Sequence, residues 1–234
     1  MSQIINIFRK EFRTYFVSPI AYIVISIFLL VTGWFFFMTF FLYSQADLRN
    51  FFTLLPLIFS FVVPAITMRL FSEELNMGSY EILLTLPVTY RDVILGKFLA
   101  SVAFITAMLI PTLAYPITVS FLGQIDWGPV AGGYIGAVLL GAAFSAVGLF
   151  ASSMTRNQII AFIIGLAICF ALTLVDKMLF FLPQSLLGIF EYLGADFHFQ
   201  NISKGIIDSR DILYFLSISV VGLYGAHLVM EEKN

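Results

Sequence analysis

Charged residues that could form ion pairs or bind an aqueous partner are concentrated in one stretch of this chain, Arg69–Lys97. Seven of its 29 residues carry a charge, whereas none of the following 28 residues, 98–125, does. A polar stretch between two strongly apolar runs is exposed to water while its neighbours avoid it. We therefore expect the functional contacts of the chain in this stretch, RLFSEELNMGSYEILLTLPVTYRDVILGK.

The sequence has no recognisable arrangement of catalytic residues. It contains neither a G-x-S-x-G elbow nor an H-E-x-x-H pair, and Gly96-Lys97 is followed by Phe without the spacing of a phosphate-binding loop. The single cysteine, Cys169, excludes a disulfide framework and a Cys-rich metal site. His198 and His227 are predicted on opposite sides of a membrane. We therefore predict no catalytic, cofactor-binding or metal site, and no enzyme activity.

Composition indicates an integral membrane protein. Of 234 residues, 60% are hydrophobic and 11% are charged, compared with about 25% charged in a soluble domain. The net charge of −2 without a basic block argues against a nucleic-acid partner. The first apolar run, 14–46, is 33 residues long, which exceeds the 7–15 residues of a signal-peptide core. We interpret it as a retained membrane anchor.

Charge-free runs predict six transmembrane helices. About 20 apolar residues cross the hydrocarbon layer as a helix, and helices satisfy their backbone groups within the segment. The predicted fold is all-α, a single transmembrane domain over residues 1–234. The runs, each of at least 19 residues, are 14–46, 50–68, 98–125, 127–155, 157–175 and 212–230.

The distribution of Lys and Arg predicts the orientation. With the amino terminus inside, eight of these residues lie on the cytoplasmic side and four lie outside. Because cytoplasmic loops carry the excess of basic residues, both termini are predicted in the cytoplasm. The Arg69–Lys97 stretch then lies there too.

Three segments outside the spans have a predicted role. Residues 1–18 form an amphipathic interfacial helix that stops at Ser18-Pro19; it is either an elbow that docks against the cytoplasmic loop or a membrane-surface anchor. Residues 71–96 form a cytoplasmic segment between the second and third spans. Residues 183–211 mix apolar and charged residues, which favours short interfacial or partly re-entrant helices on the outside.

Within the central stretch the sequence predicts one short helix with defined ends. Gly78 interrupts the helix that leaves the membrane, Ser79 caps a new helix over 80–86, and Pro87 stops it. Thr89–Asp92 is a predicted capping box that opens the third span. The short helix is too apolar to be left in water, so it needs either the amino-terminal helix or a groove on another protein.

The run SEELNMGSYEILLTLPVTYRDVILGKFLA resembles the signature of permease subunits in the type 2 ABC exporter family. The start KEFRTYFVSP and the six-span layout are also similar to that family. The later run FHFQNISKGIIDSRDILYFLS resembles a branch with gliding-motility-associated and nitrous-oxide-reductase-maturation-type permeases. No large external domain is present in this sequence, so a bulky extracellular module for substrate capture is not expected in the chain.

The resemblance implies a transporter of two permease subunits, identical or homologous, and two cytoplasmic ATPase subunits in a bacterial inner membrane. ATP and Mg²⁺ would be bound by the ATPase partner, and no cofactor by this chain. The helix between the second and third spans would be the coupling helix that enters a cleft on the ATPase, supported by Glu73 and Glu74. By position, its residues are Gly78, Ser79, Tyr80, Glu81, Ile82, Leu83, Leu84, Thr85, Leu86 and Pro87.

Two other functions fit the same sequence. The chain could be a membrane scaffold that couples an ATPase to work other than transport. It could also be an ion-driven carrier, although such carriers place ionisable residues at mid-membrane and the nearest candidate, Asp176-Lys177, lies towards a span end. Spans rich in Phe and without central charges favour an apolar or amphiphilic substrate such as a lipid.

Overall fold

The structure is a computed structural model and describes residues 2–43, 47–78, 88–178, 187–206 and 208–233. Every regular element in these ranges is helical, which confirms the all-α prediction. The helices are α1 (Ser2–Val17), α2 (Pro19–Tyr43), α3 (Arg49–Thr67), α4 (Arg69–Met77), α5 (Tyr90–Leu109), a 3-10 turn (Ile110–Leu113), α6 (Ala114–Leu122), α7 (Trp127–Met154), α8 (Gln158–Leu174), α9 (Leu187–Leu193), α10 (Ala195–Ser203) and α11 (Ser209–Glu232).

Five helical stretches among the described residues are long and apolar enough to cross a membrane. Each overlaps one predicted run. The remaining run forms α8, which is apolar but has 17 residues; at 1.5 Å per residue it spans about 26 Å, less than the hydrocarbon thickness of about 30 Å. The five stretches are Pro19–Met38, Arg49–Met77, Tyr90–Leu122, Trp127–Met154 and Ser209–Glu232.

Helices continue beyond the apolar runs into the charged central stretch. α3 passes into α4 through Met68, whose backbone is helical and whose N–H donates to the Pro64 carbonyl at 2.8 Å. On the other side of residues 79–87, α5 begins at Tyr90. Residues 71–77 and 90–96 of the predicted coupling segment therefore belong to long helices.

α7 lies at the centre of the bundle because small residues along it let its neighbours approach closely. A Cβ added at Gly141 would lie 2.9 Å from Ile105 of α5, and one at Gly222 of α11 would lie 2.8 Å from the Ala146 backbone. Such separations have no room for a larger side chain. The small-residue positions of α7 at these contacts thus serve packing within one chain.

The two ends of the bundle differ in what covers them. α1, Gly78, the end of α7 and the end of α11 meet at one end, which we call the amino-terminal end; there Lys233 donates to the Ser153 carbonyl. α9 and α10 cover the opposite end. Short helices are predicted for this second region, and the structure confirms them for its described residues.

α10 is buried against α3, α7 and α11, although its sequence is partly polar. Asp196, His198, Phe199 and Ile202 are each at most 1% exposed. Phe199 and Ile202 lie over Gly136 of α7, where an added Cβ would be 3.3 and 3.2 Å from them. A flat glycine surface on α7 therefore lets this helix enter the bundle.

Candidate functional site

Most of the predicted ATPase contact lies outside the described residues: Ser79, Tyr80, Glu81, Ile82, Leu83, Leu84, Thr85, Leu86 and Pro87. Gly78, by contrast, is described. It ends α4 with φ 68°, a left-handed conformation that favours glycine. A Cβ added there meets nothing within 4 Å, so backbone conformation and not space selects glycine. The predicted interruption of the helix at Gly78 is confirmed.

The chain re-enters the bundle at the predicted capping box. The Asp92 N–H donates to the Thr89 hydroxyl oxygen at 3.3 Å, and the Thr89 N–H donates to Asp92 Oδ2 at 3.1 Å. Two donors at the start of α5 are satisfied in this reciprocal way. Residues 79–87 are therefore bracketed by a defined helix stop and a defined helix start.

Lys97 is the most unusual residue next to this bracket, because it is charged and only 1% exposed. Its Nζ donates to Glu74 Oε1 at 2.8 Å, to the Leu70 carbonyl at 2.8 Å and to Glu11 Oε1 at 3.2 Å. These three acceptors match the three N–H groups of an ammonium. The buried charge is thus fully hydrogen-bonded, as a charge removed from water must be.

Glu11, Glu74 and Lys97, which we call the Lys97 cluster, join three helices. Glu11 lies on α1, Glu74 on α4 and Lys97 on α5, and α4 and α5 are the two helices that flank residues 79–87. A second cation, Lys10, lies 3.6 Å from Glu11 and 3.9 Å from Glu74. The cluster therefore holds α1, α4 and α5 together beside the bracketed segment.

A cavity of about 210 Å³ opens beside the Lys97 cluster. Glu73 and Arg69 line it, together with Tyr15 of α1. Burial raises the pKa of the Tyr15 phenol, and the charge of Glu11 adds to the rise. Of the two predicted supporting residues, Glu74 thus lies in the ion cluster and Glu73 lies in the wall of the cavity.

Sequence reasoning did not find the contact between Glu11 and Lys97. A signal was present in α1, where Ile4, Ile7, Glu11 and Tyr15 recur at the spacing of one helix face. Ile7 of this face packs against α5, since a Cβ added at Gly96 would lie 2.7 Å from Ile7 Cγ2. An acidic residue on the apolar face of a basic helix points to a buried cation as its partner.

A second charged group lies at the opposite end of the bundle. Lys177, just after α8, pairs with Asp196 at the start of α10. Burial and the charge of Asp196 raise the pKa of Asp176. Burial lowers the pKa of Lys177, but the hydrogen bond and the charge of Asp196 outweigh it, so the net shift is upward. Asp176-Lys177 is therefore tied to α10.

His198 extends this second group to α11. Its Nδ1 lies 2.6 Å from Asp211 Oδ1 and its Nε2 lies 3.0 Å from the Tyr192 carbonyl. Both ring nitrogens thus face an oxygen atom, and His198 joins α10 to α11. His227 lies at the other end of the bundle, with its ring centroid 6.4 Å from that of Tyr90.

A comparison with protein families matches most of the chain. The family model described as ABC-2 family transporter protein matches residues 50–219, which is more than half of the chain. The match includes Glu74, Gly78 and Lys97, whereas Glu11 and the rest of α1 precede it. No curated protein matches the chain.

Proposed function

Since the chain belongs to the ABC-2 transporter family, we propose that it is the permease subunit of an ABC exporter. Hydrolysis of ATP on a separate cytoplasmic ATPase subunit drives export through the spans. The observation that carries this proposal is the fully hydrogen-bonded ammonium of Lys97, which joins the helices on both sides of residues 79–87. The chain itself carries out no catalysis.

Residues 78–87 form the contact with the ATPase in this proposal. The stop at Gly78 and the capping box at Thr89 fix the two points where the segment leaves and re-enters the bundle. A displacement of the segment acts first on α4 and α5. Because Lys97 of α5 donates three hydrogen bonds to α1 and α4, the three helices move together instead of sliding past one another.

The proposed assembly is based on the family and on the sequence. In this proposal α8 also crosses the membrane, as the fifth of six spans along the chain. Both termini face the cytoplasm of a bacterial inner membrane, and α1 is the elbow helix. Two copies of the chain, or one copy and a homologous permease, enclose the pathway, while ATP and Mg²⁺ reside on the ATPase subunits. Within the family, the proposed relatives are the gliding-motility-associated and nitrous-oxide-reductase-maturation-type permeases.

Site-specific crosslinking tests the contact. A photo-crosslinking amino acid at Leu83 is expected to capture a soluble ATPase in native membranes, and Glu81→Ala with Leu84→Ala is expected to abolish the capture. The matched control places the crosslinker at Trp127, which is 56% exposed at the opposite end, and captures no ATPase. Folded protein that yields no ATPase from Leu83 would overturn the proposal.

The second candidate is an ion-driven carrier, favoured by the buried ionisable groups Asp196, His198 and Asp211 at the opposite end. Intramembrane ionisable residues often mark ion pathways. Transport by the carrier needs no ATPase and stops with an uncoupler, whereas transport by the exporter needs ATP. A scaffold that uses the same ATPase for other work gives no transport in proteoliposomes.

A further inference from the structure

The surface of α1 is divided into three faces along the helix. The first face, described above, packs against α5. The second is apolar and aromatic. The ring centroids of Phe8 and Phe12 are 5.7 Å apart, and those of Phe12 and Phe16 are 5.1 Å apart. The Phe16 ring also contacts Phe104 of α5, with a centroid distance of 5.6 Å. Ile5, on the same face, is 53% exposed. Phe8, Phe12 and Phe16 are half-buried, so a partly exposed apolar strip runs beside the bundle.

The third face is cationic and borders the aromatic one. Arg9 and Arg13, one helical turn apart, are exposed and form no ion pair within the part of the chain that the structure describes. Together with Asn6, Lys10, Thr14 and Val17 they line an open groove of about 610 Å³. Lys10 differs from the two arginines, because it lies close to Glu11 and Glu74.

The position of α1 relative to the spans fixes its depth. One residue, Ser18, separates it from the first span, and Ile7 packs against Gly96 near the start of α5. Helix α1 thus lies where three candidate spans begin or end. At this depth the acyl chains of the membrane end and the phosphate groups begin within a few ångströms. The aromatic face of α1 can therefore contact acyl chains while the adjacent cationic face contacts phosphate groups.

We propose that Arg9 and Arg13 bind the phosphate of an anionic phospholipid whose acyl chains lie against Ile5, Phe8, Phe12 and Phe16. The long arginine side chains reach the headgroups while their stems stay on the apolar strip. The bound lipid holds α1 in the membrane surface and, through Glu11, supports the Lys97 cluster. This site does not depend on the ATPase contact and can be tested with the permease chain alone.

Native mass spectrometry of the purified full chain measures the preference. After exchange into phosphatidylglycerol and phosphatidylcholine of equal chain length, the wild type is expected to retain phosphatidylglycerol preferentially. One basic residue at an anionic surface changes binding by about fivefold, so Arg9→Gln with Arg13→Gln is expected to lower the preference by about 25-fold. Arg49→Gln with Lys204→Gln, which removes two charges at the opposite end, leaves it unchanged.

Spin labels report the immersion of α1 in nanodiscs of the same lipids. A label at Ile5→Cys is expected to collide with oxygen, which partitions into acyl chains, and a label at Asn6→Cys with a water-soluble nickel complex. Equal exposure of both labels to nickel would overturn the proposal. Equal loss of the phosphatidylglycerol preference in the control variant would also overturn it. So would an Arg9→Gln with Arg13→Gln variant that keeps the preference but no longer binds the ATPase, because the cationic face would then contact a protein partner.

Discussion

Replacement of Lys97 by Met removes the buried ammonium while it keeps an unbranched side chain of similar length. Glu11 and Glu74, whose side chains are 11% and 16% exposed, are then left as two neighbouring carboxylates, and the Leu70 carbonyl loses its donor. Removal of one partner of a buried ion pair costs about 3–5 kcal/mol. Because Lys10 remains within 3.6 and 3.9 Å of the carboxylates, we expect the lower end, about 3 kcal/mol.

The free energy of unfolding of the purified chain in mixed micelles measures this loss, with Lys204→Met as the control. Lys204 is exposed at the opposite end, and its replacement should change stability by less than about 0.5 kcal/mol. Addition of Glu11→Gln and Glu74→Gln to Lys97→Met removes the repulsion and is expected to recover at least about 1 kcal/mol. A Lys97→Met variant as stable as the wild type would refute the account of the cluster, as would the absence of recovery.

Two further perturbations follow from the structure. Gly78→Ala is expected to destabilise the chain by about 1 kcal/mol, since a left-handed conformation costs an alanine about that much; Gly188→Ala, also without atoms within 4 Å but in a helix, is the control and should not destabilise it. A Gly78→Ala chain with wild-type thermal unfolding would show that the φ of 68° is not required. Because the pKa of Asp176 is raised in the folded chain, the protonated side chain contributes fully to stability only below the pKa of an ordinary aspartate. This contribution is lost as the pH rises through the pKa of Asp176 in the folded chain. Asp176→Asn should therefore raise the melting temperature at pH 7 more than at pH 4, and an equal rise at both pH values would contradict the assignment.

Features governed by neighbouring residues were predictable from the sequence. The capping box at Thr89–Asp92, the helix stop at Gly78 and the end of α1 before Pro19 depend on residues within one turn of each other. The spans follow from apolar runs, since their length must match the hydrocarbon layer. The charged stretch Arg69–Lys97, in contrast, looks like one continuous polar segment in the sequence. Most of its described residues instead belong to the helices α4 and α5.

Features governed by distant residues were not predictable in the same way. Glu11 and Lys97 are separated by 86 positions, and only the packing of α1 on α5 brings them together. The burial of α10 is also a tertiary effect: Asp196 and His198 would be solvent-exposed in an isolated segment, but the glycine surface of α7 admits the helix, and Lys177 and Asp211 satisfy its polar groups.

Distance measurements between spin labels test most directly whether α1 and α4 move as one unit when the ATPase acts. In the complex with its co-purified ATPase, a pair at Asn6 and Met77 is expected to keep its distance when ATP and vanadate are added, whereas a pair at Met77 and Lys204 is expected to change. In the Lys97→Met variant the distribution of distances between Asn6 and Met77 should broaden. A change in the distance between Asn6 and Met77 in the wild type would contradict the common movement of α1 and α4. The absence of a response to ATP in both distances would contradict the coupling to the ATPase.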